Sequence, residues 1–79
     1  MTLRELQSRY LAGEPVVRVE EAEPWHLLKC SRSTFHRCAA AGEVPGVLHL
    51  GRRRLLQLRS FLAFLGALPT EQPGGGDDA

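Results

Sequence analysis

The stretch SRSTFHRCAAAGEVPGVLHLGRRR, residues 31–54, decides the fold. In its first half, apolar positions recur at the spacing of an amphipathic helix, at Phe35, Cys38, Ala39 and Gly42. Ser31 precedes this pattern, and serine is a preferred N-cap because its side-chain oxygen accepts a hydrogen bond from a free amide of the first turn. We therefore predict a helix over residues 32–41 that ends at Gly42.

The second half of the stretch predicts a β-hairpin. Two short β-prone runs, Val47–Leu50 and residues 53–58, are separated by Gly51 and Arg52. Glycine at the first position of a two-residue loop suits a type II′ turn, because glycine tolerates a positive φ. The hairpin is expected to project arginines at its tip.

Another helix is predicted immediately upstream, within residues 20–29. Its apolar face consists of Val19, Ala22, Trp25 and Leu28. Proline inside a helix removes a hydrogen bond and clashes with the preceding turn, so the regular helix should begin near Glu23, with Pro24 in its first turn. Trp25 is the expected core anchor, since the chain has one Trp, one Tyr and three Phe.

The connection between these two helices is a short turn around Lys29 and Cys30, with Cys30 as its buried residue. A connection of about three residues is typical of a helix-turn-helix. The sequence therefore predicts a fold that is mainly α with a small β-hairpin, a winged helix-turn-helix, over residues 16–68.

The first 15 residues are predicted to form a short helix and a linker. Thr2 and Glu5 match a capping box, and the helical pattern runs over residues 3–11 until Gly13 stops it. A helix this short is unstable alone in water, so it must pack on the rest of the domain or on another chain. A short extended segment is expected next, at Val16, Val17 and Val19.

The C-terminal part is predicted to contain one more helix and a tail. The helical stripe consists of Leu58, Phe61, Leu62 and Leu65. Ser60 is a candidate cap, and Gly66 and Pro69 close the helix. Residues 69–79, PTEQPGGGDDA, have the glycine, proline and acid content of a disordered acidic tail.

Charge is strongly segregated along the chain, although the formal net charge is only +1. Residues 26–59 hold seven basic side chains and a single acid, Glu43, which gives this segment a formal charge of +6. Three histidines lie in the same segment. A polyanion is the natural partner of such a segment, whereas the ordinary alternative is a solvated basic surface balanced by acidic ends.

Composition excludes several other classes of protein. The sequence has no apolar run long enough for a membrane span and no apolar core of a signal peptide near its start. Two cysteines are too few for a disulfide framework, and Cys30 and Cys38 are expected to be reduced thiols. We expect a cytoplasmic protein without a membrane partner and without a cofactor.

The polar start of the helix after Ser31 and the arginines of the hairpin are the candidate DNA-binding residues. A recognition helix presents its N-terminal half to base edges in the major groove, where arginine pairs with guanine. Three adjacent arginines repel one another unless a polyanion neutralises them. The candidate residues are Ser31, Arg32, Ser33, Thr34, His36, Arg37, Arg52, Arg53 and Arg54.

The order of the segments VEEA, SRSTFHR, GEVPGVLHLGRRR and RSFLAFL, within residues 17–65, resembles the excisionase and MerR-like small winged helix-turn-helix proteins. Lys29, where the family commonly has glycine, and His36, where tyrosine is frequent, depart from the pattern. The resemblance implies that residues 31–37 are a recognition helix and that residues 51–54 are a wing in the adjacent minor groove. It also implies a phage or mobile-element excisionase that directs DNA recombination, or a compact regulator of transcription.

The expected partner is double-stranded DNA, and the resemblance implies cooperative binding at repeated sites. The N-terminal helix and exposed leucines are candidates for contacts with an integrase or with a second copy on adjacent DNA. An alternative without DNA is a protein-interaction adaptor that uses the N-terminal helix and exposed leucines. Leu48 and Leu55, as a cross-strand pair on the hairpin, are examples of such leucines.

A zinc site and an enzyme are both disfavoured. His26, Cys30, His36 and Cys38 are potential zinc ligands. Residues two apart on a helix point in nearly opposite directions, so His36 and Cys38 cannot bind one metal together. Cys38 is better explained as a small core residue. No spacing of hydroxyl, histidine and carboxylate suggests a catalytic site, and we predict that the protein is not an enzyme.

Overall fold

The computed structural model describes residues 1–69. Five helices and three strands follow one another along the described part of the chain. In order they are α1 (Leu3–Leu11), β1 (Val16–Arg18), α2 (Val19–Ala22), α3 (Pro24–Leu27), α4 (Arg32–Ala40), β2 (Val47–Leu50), β3 (Arg53–Gln57) and α5 (Leu58–Phe64). The tail predicted at 69–79 lies, apart from Pro69, outside the described residues.

The strands form a three-stranded antiparallel sheet in the order β1-β3-β2. β2 and β3 make the predicted hairpin, with Leu48 opposite Leu55, so the predicted cross-strand pair is confirmed. β1 adds to the other side of β3, with Val17 opposite Leu56. The expectation of a mainly α fold with a small hairpin understated the β content, because the pairing of the extended segment at Val16 and Val17 with a strand far along the chain has no local signal in the sequence. The fold is a mixed α and β arrangement.

The core lies between the inner face of the sheet and the helices, and each helix contributes to it. Its fully or nearly buried residues are Leu6, Val17, Val19, Ala22, Trp25, Phe35, Val44, Leu56, Leu58, Phe61 and Leu62. Trp25 is therefore buried, as the sequence predicted. Phe35 is completely buried, which fixes the inner face of α4 to the rest of the domain.

Helix α1 forms over the predicted residues with the predicted capping box: Glu5 N donates to Thr2 Oγ1 at 3.1 Å, and Thr2 N donates to Glu5 Oε1 at 2.7 Å. It packs against α5 and buries Leu6 completely. Gln7 Nε2 also donates to the carbonyl of Ala67 at 2.8 Å. The short helix thus obtains its stability from the same domain.

The predicted helix near Glu23 is in fact two short helices, and this corrects the sequence interpretation. α2 begins at Val19, inside the segment expected to be extended, and it ends at Ala22, because the next residue, Glu23, has a left-handed φ of 50°. α3 begins with Pro24 as its first residue, as expected, but it ends at Leu27. The residue before a proline is kept out of right-handed helical conformation by contact with the proline ring, so the chain breaks there.

The two later helices differ from the prediction only at their ends. α4 has Ser31 as its N-cap and stops at Ala40, one residue short. α5 begins at Leu58, directly after β3, and Ser60 does not cap it; the Ser60 hydroxyl donates instead to Gln57 Oε1 at 2.6 Å. Gly66 follows α5 with a φ of 70°, as expected for a helix end.

Gly46 lies where the start of the hairpin approaches the start of α5 closely. Its φ is +94°, and a Cβ atom there would lie 3.0 Å from the backbone nitrogen of Phe61 and 3.1 Å from the carbonyl oxygen of Gln57. The Gly46 carbonyl accepts from Gln57 N at 2.6 Å. Only glycine allows this approach without displacement, so the base of the hairpin is fixed on the core.

Within residues 1–69, no helix has the length and apolar character required to cross a membrane.

Candidate nucleic-acid interface

The first turn of α4 is a capped helix start that presents polar side chains to solvent. Ser31 Oγ accepts from Thr34 N at 3.0 Å and donates to Thr34 Oγ1 at 2.8 Å. Arg37 Nη2 donates to the same threonine hydroxyl at 3.5 Å. Ser33 is exposed on this turn. Two of the predicted hydroxyl groups are therefore already occupied in fixing the helix end, while Ser33 and Arg37 face outward.

Arg32 is held by contacts on two sides. Its Nη2 atom lies 2.6 Å from Glu20 Oε1, across the gap between α4 and α2. Its guanidinium carbon lies 5.6 Å from the centroid of the Trp25 ring, within the range of a cation–π contact. The Arg32 side chain is nevertheless 62% exposed, so its outer edge is accessible to a ligand.

His36 does not lie on the solvent face where the helical pattern put it. Its ring packs against Phe35 and Trp25, with centroid distances of 5.4 and 5.7 Å, and both ring nitrogens are buried without a hydrogen-bond partner in the described chain. Burial, reinforced by the positive charges of Arg54 and Arg32, lowers the pKa of His36, and Glu20 opposes this shift. A direct contact between His36 and DNA would require the ring to move outward.

The hairpin presents its arginines on both faces. Gly51 has a φ of 63°, whereas Arg52 is not among the residues with positive φ, as a type II′ turn requires. Arg52, Arg53 and Arg54 are all exposed. Side chains alternate along a strand, so Arg54 shares the inner face with Leu56, on the side of α4.

The structure brings the hairpin arginines together with two residues that the sequence did not single out. Arg18 and Glu20 line a cleft of about 90 Å³ with Arg52, Arg53 and Arg54. Arg18 reaches this position because β1 pairs with β3, which sets Arg18 opposite Leu55. No local signal marks it, because it lies in the part of the sequence where acids predominate.

Glu20 connects the two basic elements. It contacts Arg32 at the start of α4 and also lines the cleft beside the hairpin. Arg32 and Arg54 in turn both act on the pKa of His36. The start of α4 and the inner face of the hairpin are therefore neighbours, and together they make a basic surface with a carboxylate at its centre. We call these arginines, together with Arg37 on the exposed side of α4, the basic surface: Arg18, Arg32, Arg37, Arg52, Arg53 and Arg54.

The described residues contain no group of three or more histidine, cysteine or acidic side chains arranged to hold a metal ion. Cys30 and Cys38 are free thiols, half-buried and packed against the core. Burial, together with a hydrogen bond to Glu43, raises the pKa of Cys38. Both residues thus act as small packing groups.

Exposed apolar side chains occur on the outer face of the hairpin. Leu48 is 42% exposed and Leu50 is 65% exposed, while Leu55 is half-buried. By contrast, the apolar face of α1 is used inside the domain, where Leu3 and Tyr10 pack beside the buried Leu6. Of the features predicted for an adaptor, the leucines on β2 remain accessible, and so does Leu11 at the end of α1, which is 43% exposed.

No family of known proteins, no curated protein and no solved structure matches the chain.

Proposed function

We propose that the protein is a winged helix-turn-helix that binds double-stranded DNA in a sequence-specific manner. α4 would enter the major groove, and the β2–β3 hairpin would reach the adjacent minor groove as a wing. The observation that carries the proposal is the meeting of two basic elements: Glu20 contacts Arg32 of α4 and lines the cleft of the hairpin arginines. One ligand can therefore contact both elements at once.

The arrangement of α3 and α4 supports this proposal. The turn between them runs from Leu28 to Ser31, with Lys29 at a left-handed φ of 56°. Lysine there performs the conformational role for which glycine is commoner. Phe35 anchors α4 from below, which leaves Arg32, Ser33 and Arg37 directed away from the core.

Charge distribution favours DNA over a protein partner at this surface. Arginines that line one cleft keep counterions or phosphates close, because their mutual repulsion falls when an anion is bound. Arginine is also favoured in a narrow minor groove, where the negative potential is strongest. The proposed consequence is control of recombination, as an excisionase acting with an integrase, or control of transcription.

An adaptor function is the second candidate, and the exposure of Leu48 and Leu50 is what favours it. The two functions are compatible, since these leucines lie on the outer face of the hairpin and could contact an integrase or a second copy on DNA. A pull-down with and without nuclease separates them, because an adaptor keeps its partner after the DNA is digested.

The test is to select duplexes from a randomised library with the full chain and to measure binding of the enriched duplex across a salt series. If about five to seven phosphates are contacted, the slope of log K against log salt should be about −5 to −6. Arg53→Ala/Arg54→Ala should flatten this slope by about 2 and weaken all duplexes alike. Arg32→Ala should instead relax the base preference of the selected duplexes.

A charge-matched control is Arg4→Ala/Arg59→Ala. Arg4 lies on α1, and Arg59 lines a different depression with Tyr10 and Pro15, so neither belongs to the basic surface. This control should keep most of the affinity. Salt-independent binding, or an equal loss in the control and in the wing variant, would contradict the proposal.

A further inference from the structure

Glu20 is placed where a DNA-binding surface would be expected to avoid an acid. Its Oε1 atom lies 2.6 Å from Arg32 Nη2, and its Oε2 atom lies 3.5 Å from His36 Nε2. It also lines the cleft with the hairpin arginines, and its side chain is 44% exposed. A carboxylate at this position repels phosphate, so it must lower the affinity of the surface for DNA of any sequence.

The contacts of Arg32 indicate how Glu20 contributes to DNA recognition despite this loss of affinity. A free arginine side chain samples many rotamers and can follow any nearby phosphate. Here the carboxylate occupies one edge of the guanidinium, and the Trp25 ring lies 5.6 Å from its carbon atom. The planar group is thus fixed in one orientation, which leaves its remaining donors directed for a bidentate contact.

We propose that Glu20 is a specificity-determining residue of the basic surface. It positions Arg32 for a base contact, and it penalises duplexes that offer Arg32 only phosphates. This inference rests on the proposed function, since it concerns the sequence preference of DNA binding. Specificity is a difference between two affinities, and a repulsive group that acts mainly on the wrong partner increases that difference.

Glu20 is suited to mutation because its ion pair is exposed on both sides. Exposed ion pairs contribute little to folding, so Glu20→Gln should leave the domain folded. Glu21 is the matched control: it is the next residue of α2, it is also exposed, and its carboxylate pairs with Arg9 at 3.3 Å, not with Arg32. Glu20→Gln and Glu21→Gln change the net charge equally.

The experiment compares an enriched duplex, selected with the wild-type chain from a randomised library, with a scrambled duplex of the same composition. For Glu20→Gln we expect about threefold to tenfold tighter binding of the scrambled duplex and little gain on the enriched one, so that the ratio of affinities falls by about that factor. Glu21→Gln should change both affinities by less than about twofold. In an Arg32→Ala background, Glu20→Gln should no longer alter the ratio.

A measurement of the arginine resonances tests whether Glu20 acts by orienting Arg32 or only through its negative charge. In the free wild-type protein, the Arg32 Nη2–H resonance should exchange slowly with solvent, because this nitrogen contacts Glu20, and it should lie apart from those of the hairpin arginines. In Glu20→Gln, the Arg32 resonance should move to the position of the hairpin arginine resonances. Glu20→Asp keeps a carboxylate, so it should partly restore the wild-type position.

The inference is overturned if Glu20→Gln leaves the ratio of the two affinities unchanged, or if Glu21→Gln lowers this ratio equally. In either case, the sequence preference of the wild-type chain would still support the proposed function. Failure of the wild-type chain to enrich any duplex would refute the proposed function, and the inference with it.

Discussion

The start of α4 and the tip of the hairpin are both basic, but they are held in opposite ways. At the start of α4, Ser31 caps the helix, Arg32 is paired with Glu20, and Phe35 is completely buried beneath them. At the hairpin tip every residue from Leu50 to Arg53 is exposed, and no ion pair holds the arginines within residues 1–69.

The difference is one of rigidity. A base contact needs a side chain held in the correct orientation, because a misplaced donor loses its hydrogen bond and the discrimination that depends on it. A phosphate contact tolerates variation, because the phosphate charge is the same at every base pair. The start of α4, which is held by contacts, therefore suits the proposed contact with bases. The exposed tip of the hairpin suits the proposed contact with the DNA backbone. Changes beneath α4 should alter stability, whereas truncation of the arginine side chains at the tip should alter only binding.

The largest effect is expected at the anchor of α4. Phe35→Ala removes a fully buried ring and should lower the free energy of unfolding by about 3–5 kcal/mol, because it leaves a cavity under the helix. Urea denaturation measures this loss. Phe64→Ala is the control, since Phe64 is 48% exposed and the same truncation there should cost much less. Equal losses would mean that α4 does not depend on Phe35.

At the hairpin tip, the triple variant Arg52→Ala/Arg53→Ala/Arg54→Ala should lower DNA affinity about a hundredfold. It should also flatten the slope of log K against log salt by about 2.7. Its free energy of unfolding should stay within about 0.5 kcal/mol of the wild type, because all three side chains are exposed. Fluorescence anisotropy with a labelled duplex, together with urea denaturation, measures both quantities. Unchanged DNA affinity would refute the wing assignment.

The two ends of the hairpin itself can be compared through their glycines. Gly46→Ala should cost about 2 kcal/mol, because the new Cβ would lie against the backbone of α5 at a φ of +94°. Gly51→Ala carries a similar conformational penalty, but a Cβ there meets nothing within 4 Å in the described structure. Its cost should therefore be smaller, at about 1 kcal/mol. Thermal unfolding of both variants decides whether the base of the hairpin is fixed and its tip free.

A smaller effect is expected from the cap of α4. Ser31→Ala removes the acceptor of the Thr34 amide and should cost about 1 kcal/mol. Ser33→Ala, two residues later on the exposed side, should leave stability almost unchanged. If both variants are equally stable, the cap does not contribute to holding the helix end.

The smallest effect is a pH dependence that arises at His36. Its lowered pKa means that the unfolded chain binds the proton more tightly, so stability is complete above about pH 6.5 and is lost as the pH falls through the lower folded value. The melting temperature should therefore drop less between about pH 7.5 and pH 5 in His36→Phe than in the wild type. His26→Gln, at a position where the side chain is 65% exposed, should keep the wild-type profile.

Local signals predicted the starts of α1 and α4 and the turn of the hairpin. The capping pair Thr2 and Glu5, the Ser31 cap and the Gly51 turn each act within a few residues, so the chemistry of the sequence is enough to locate them. The helix start at Pro24 was also predicted, from the restrictions that proline imposes, whereas the separate helix α2 and the left-handed Glu23 that ends it were missed, because a left-handed glutamate has no compositional signal.

What the sequence could not provide depends on contacts between distant residues. β1 pairs with β3 although α2, α3, α4 and β2 lie between them in the chain, and this pairing brings Arg18 to the cleft. Glu20 likewise meets Arg32 only after α2 and α4 have packed. His36 was placed on the outer face because the helical pattern considers α4 alone, whereas the Trp25 ring lies close enough to cover it.

The exposed tip of the hairpin has a consequence for how this domain can be altered. Because Leu50 to Arg53 are exposed and a Cβ at Gly51 would meet no atom within 4 Å in the described structure, added residues there would cost little beyond loop closure, about 0.6 kcal/mol for each doubling of loop length. Insertions and deletions could therefore lengthen or shorten the arm while Gly46 keeps its base in place. The length of the hairpin can accordingly be engineered independently of the rest of the domain.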